Sequence, residues 1–184
     1  GIVDSLSDKD NKFLITSNSE GAGLIKERIF ETIVSNETNN SAAILSKVMA
    51  KSDDATISSV INIITLKNEN TNSKLSLKVM ADFSEKNPEK LEIYSKTNKT
   101  ELQQLTVSAV EEAQSTQEDA DLISKIVNNV SEEIVNNVIS EVTKNSNNEK
   151  QSLSAKVMKS IIVTNSDNMK NLSDENKDNM ITQT

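Results

Sequence analysis

Leu122-Ile123-Ser124-Lys125-Ile126-Val127-Asn128-Asn129-Val130-Ser131-Glu132-Glu133-Ile134-Val135-Asn136-Asn137-Val138-Ile139-Ser140-Glu141-Val142 decides the fold class. Its apolar residues return every three or four positions, the step of an α-helix, and form a broad stripe. The spacing predicts one helix over Asp119–Asn145, with a capping box in Ser115-Thr116-Gln117-Glu118 and a stop at Asn145-Ser146-Asn147-Asn148. A period nearer 3.6 than 3.5 favours a packed bundle over a two-stranded coiled coil.

The same stretch reveals a repeat. Slid by 78 residues, Asn40–Thr106 falls on Glu118–Thr184 without a gap. Seventeen aligned positions are identical, about three times what this composition supplies by chance. Leu75-Ser76-Leu77-Lys78-Val79-Met80 meets Leu153-Ser154-Ala155-Lys156-Val157-Met158. Ser46-Lys47 meets Ser124-Lys125, Val60-Ile61 meets Val138-Ile139, and Asn98-Lys99 meets Asn176-Lys177. Carried back by the same offset, Gly1–Asn39 lies on Val79–Gln117 with far fewer identities. The expected organisation is the C-terminal part of a unit over 1–39, a complete unit over 40–117 and most of another over 118–184. The chain reads as an excerpt from a longer array.

Other segments carry the helical period as well. Ser41–Lys67 matches the long helix but holds Ser52-Asp53-Asp54, where Ser52 or Asp53 can cap a second helix. Ser73–Lys86 places Leu75, Val79, Met80 and Phe83 inward; its counterpart Glu149–Thr164 uses Leu153, Val157, Met158, Ile161 and Ile162. Asn87-Pro88 reads as a cap and a first-turn proline opening a short helix with Leu91 and Tyr94. Lys99–Ser115 buries Leu102, Leu105, Ala109 and Val110, and Glu20–Ser35 buries Leu24, Ile25, Ile29 and Ile33. Each unit is therefore expected to hold three main helices and one short one. The fold class is all-α, a tandem array of small helical bundles. This architecture is broadly similar to the three-helix-bundle repeats of spectrin and of large bacterial surface proteins, a likeness of design that carries no motif across.

Composition narrows the chemistry. With no cysteine, neither a disulfide framework nor a thiolate metal site can form. The chain also lacks histidine, the commonest general base and metal ligand. A net charge of −8 spread along the sequence opposes binding to a phosphate backbone. No apolar run reaches the roughly 20 residues of a membrane span.

The acidic clusters are weak metal candidates. Asp8-Lys9-Asp10-Asn11 and Asp167–Asp178 lack the glycine of a calcium loop, and lysines intrude. Asp53-Asp54, Glu111-Glu112 and Glu132-Glu133 are adjacent pairs that diverge on a helix, unsuited to acid–base work on one substrate. Glu20-Gly21-Ala22-Gly23-Leu24 lacks the Gly-Lys-Ser/Thr end of a phosphate loop and reads as a flexible connector. The Lys-Val-Met triplets at 47–49, 78–80 and 156–158 lie on the apolar stripe and read as core. Asn128-Asn129 and Asn136-Asn137 are expected on a solvent-facing stripe, and the several Asn-x-Ser/Thr triplets follow from composition.

No catalytic, cofactor-binding or metal-binding residue is assigned, and no enzyme activity is expected. The reading is a non-catalytic repeat segment, a spacer, stalk or repeated interaction surface, with a large bacterial surface protein as its expected home. Its partner is then another protein or a neighbouring repeat. The alternative is an intracellular helical-solenoid adaptor that binds a protein or peptide.

Overall fold

A computed structural model describes residues 20–38, 40–66, 74–144, 151–165, 173, 174 and 176–178. Among these residues the chain is all-helical, without a strand. The helices are α1 Glu20–Ser35, α2 Ser41–Lys51, α3 Asp54–Leu66, α4 Leu75–Lys86, α5 Pro88–Thr97, α6 Lys99–Glu112, α7 Gln117–Asn129, α8 Glu132–Lys144 and α9 Gln151–Asn165.

The predicted long helix over Asp119–Asn145 is two helices. Val130 turns to extended backbone (φ −122°, ψ 168°), and the carbonyl of Ser131 accepts from the Val135 N–H at 2.9 Å to start α8. The earlier copy breaks where Ser52-Asp53-Asp54 suggested. Ser52 is extended (φ −101°, ψ 166°), and Asp53 Oδ1 accepts from the Thr56 N–H at 2.9 Å. Both breaks set a short polar side chain before an acidic first turn, the local chemistry of an N-cap. The stretch from α2 to α5 thus holds three main helices and one short one, and α6 adds a fourth main helix to the expected unit.

The helices stack in two rows. One row runs α2, α4, α7, α9, each in contact with the next; the other runs α1, α3, α6, α8. Helix α4 sits at the centre, touching α2, α7 and α6. Because neighbours cover it on several sides, Leu75, Ser76, Leu77, Val79, Met80, Ala81, Phe83 and Ser84 are all buried. A single apolar core runs without interruption from Phe30 to Ile161. Burial of this kind contributes roughly 25 cal/mol per Å² of apolar surface, so the shared core couples the rows.

Helix joints are sealed by side chains from other helices. Glu112, at the end of α6, accepts from the Ser76 and Leu77 N–H groups at 3.2 and 2.9 Å, capping the N-terminus of α4. Pro88 occupies the first turn of α5 as expected, although the Asn87 side chain makes no cap hydrogen bond. Tyr94 is buried, and its hydroxyl meets Ser58 Oγ at 2.8 Å, tying α5 to α3.

Several predicted core positions are corrected. Ile25 and Ile162 are exposed, and Met158 is only partly buried. In α1 the buried face is turned toward Phe30, Ile33 and Val34. Glu20–Leu24 belong to the first turns of α1 rather than to a connector. The Leu24 side chain, the Asp8–Asn11 cluster and most of Asp167–Asp178 lie outside the described residues.

Candidate functional site

The acidic pairs serve as joints. Asp53 caps α3, while Asp54 Oδ2 accepts from Asn98 Nδ2 at 3.0 Å and holds the α5–α6 junction. Glu112 caps α4, and Glu133 pairs with Lys99 at 2.8 Å between two exposed side chains. Asp53 and Asp54 thus engage different partners, one within its own helix and one at the next junction. Among the described residues no three His, Cys, Asp or Glu side chains gather as metal ligands. Millimolar calcium is expected to leave the melting temperature unchanged; calorimetry with and without the ion checks this.

Two carboxylates are held below their ordinary range. For Asp53 the main cause is the hydrogen bond from the Thr56 side chain, then that from the Thr56 backbone; Lys26 and Lys90 add to it. For Asp121 it is the hydrogen bond from Ser160, then that from Gln117. A carboxyl whose folded pKa is lowered stabilises the fold above its unfolded value and loses that contribution as pH falls through the folded one. Asp53→Asn should therefore lower stability at neutral pH and flatten the decline below about pH 4. Urea melts at a series of pH values measure this.

Polar side chains also form a seam between α7 and α9. Gln117 Nε2 and Asp121 Oδ1 meet Ser160 Oγ at 2.9 and 2.7 Å, and Asn128 Nδ2 reaches Thr164 Oγ1 at 2.6 Å. Farther on, Asn176 Nδ2 donates to Asn136 Oδ1 at 3.0 Å. Asn128 and Asn136, expected in solvent, are thus half-buried ties between elements. Periodicity missed them because an asparagine on a polar face looks the same whether its partner is water or another helix.

A groove stands open between α6 and α8, at the end of α5. It encloses about 410 Å³ and is lined by Ser95, Lys99, Gln103, Gln104, Glu133 and Asn137 over an apolar floor of Leu102 and Ile134. Gln103 reaches toward Glu141 at 3.4 Å. With Thr100 also on it, the rim offers amides, two hydroxyls and one ion pair, groups that can hydrogen-bond a peptide backbone. From the sequence, Glu133 was weighed only as one of an adjacent acidic pair and Asn137 only on a solvent-facing stripe; Ser95, Gln103 and Gln104 carry no mark there.

No described helix is long and apolar enough to cross a membrane. No family model, curated protein or solved structure matches this chain.

Proposed function

We propose that the chain is a non-catalytic scaffold built from tandem units of about 78 residues, acting as a spacer or as a repeated interaction surface. The observation that carries this reading is the recurrence of helix bounds at that offset. Helix α3, Asp54–Leu66, falls on α8, Glu132–Lys144, residue for residue. The pairs α1 with α6, α2 with α7 and α4 with α9 agree to within two residues at each end.

The joints recur too. Ile57 N–H bonds to the Asp53 carbonyl where Val135 bonds to that of Ser131. Lys78 reaches Glu37 where Lys156 reaches the Ser115 carbonyl. Ser58 of α3 and its counterpart Asn136 of α8 each meet a polar side chain from the segment after the unit's third helix. Such agreement supports a unit that stacks on its neighbours, the arrangement in which length grows with copy number.

The acidic, thiol-free composition suits an exposed spacer, and we place the parent protein at a bacterial surface on that composition alone. The groove between α6 and α8 favours a second reading, an adaptor that holds a peptide against its amide rim. Small-angle scattering of chains lengthened by whole units tests the scaffold. The maximum dimension should rise in equal steps per unit; growth as a compact globule would count against it.

A further inference from the structure

Helix α4 has a stripe that faces α7. Lys74 binds Asp119 at 2.7 Å at one end, and Glu85 meets Lys125 at 3.3 Å at the other. Between them Leu77, Ala81 and Ser84, spaced at helical steps along one face, are no more than 1% exposed. The corresponding stripe of α9 is Ser152, Ala155, Lys159, Ile162 and Val163. There Ile162 is 51% and Val163 77% exposed, and Ser152 and Lys159 are exposed as well. Among the described residues, the stripe that α7 covers on α4 is largely exposed on α9, with Ala155 half-buried.

We propose that this stripe of α9 is a docking face for the entering helix of a further repeat unit, and that it fits an α2-type helix better than an α7-type one. The proposal rests on the repeat reading and adds a specificity to it. An α7-type helix brings Asp119 to the position that Lys74 neutralises on α4. On α9 that position is Ser152, so the carboxylate would be buried without its ammonium. An α2-type helix brings Ser41 there, neutral against neutral. Its Ile44 and Val48 take the places of Leu122 and Ile126, facing Ala155 and Ile162. Lys47 takes the place of Lys125, and its aliphatic stem can lie over Val163 where no carboxylate waits.

The test extends the full chain in register. Because Thr184 corresponds to Thr106 and Arg28, appending Ile29–Thr106 presents an α2-type helix to α9, and appending Val107–Thr184 presents an α7-type helix. Hydrogen exchange is followed at the α9 amides 155–163 and within the appended unit. The expected result is slowing of the α9 amides by about tenfold or more in the first extension and by less in the second. Ile162→Asp in the first extension should abolish that slowing while α4 and α7 stay protected. A folded appended unit with unchanged exchange at α9 overturns the docking face and leaves the repeat standing. An appended unit that fails to fold overturns both. Equal slowing in the two extensions overturns the specificity. Protection in the unextended chain that grows with concentration would assign the stripe to self-pairing and overturn the occupant proposed.

Discussion

Lys74→Met is expected to destabilise the chain by about 3–5 kcal/mol, the cost of leaving a buried carboxylate without its cation. Both Asp119 oxygens accept from Lys74 Nζ, at 2.8 and 2.7 Å, and the Asp119 side chain is 0% exposed. The Gln114 N–H also donates to it at 2.7 Å, which fixes the turn before α7 but supplies no full charge. Methionine keeps the stem of Lys74 and removes only the ammonium. Lys74→Met combined with Asp119→Asn should recover part of the loss, since the charge is gone and the amide oxygen can still accept from Gln114. Denaturant melts of the three variants measure this. Equal stability of Lys74→Met and the native chain would show that α4 and α7 are not joined through this pair.

Met80→Ala is expected to cost about 2–5 kcal/mol, as for a fully buried large-to-small change, and Met158→Ala clearly less. The two methionines hold equivalent places in the sequence register, and both read there as core. Met80 is 1% exposed because α4 has neighbours on several sides, whereas Met158 is only partly buried against the core. The difference therefore measures the covering of one helix and the open side of the other. Equal costs would mean that α9 is covered as fully as α4.

That pair of methionines shows where sequence reading succeeds and stops. Apolar spacing is a property of one helix, so it placed Val79, Phe83, Leu105 and Val138 in the core. It assigned helices to nearly every segment described here. Coverage by a neighbour is a property of the stack, and nothing in the spacing of Ile162 and Met158 marks how far each is covered. The break at Val130-Ser131 was hidden for a related reason. The apolar stripe continues in phase across it, while the N-cap signal of Ser131 before Glu132-Glu133 is short and easily outvoted. The counterpart break at Ser52-Asp53-Asp54 was legible because three polar residues stand together there, where Val130 keeps the apolar stripe running in the other copy. Groove residues such as Gln103 and Gln104 gave no signal, since their placement depends on the crossing of α6 and α8.

The central claim is that α4 links the two rows and both halves of the chain into one cooperative structure. Native-state hydrogen exchange across a denaturant series tests it most directly. The account predicts that the amides of Leu77–Phe83 in α4 and those of Ile123–Val127 in α7 exchange only through global unfolding, with one shared free energy. Two distinct free energies, with α7 opening while α4 stays closed, would contradict it.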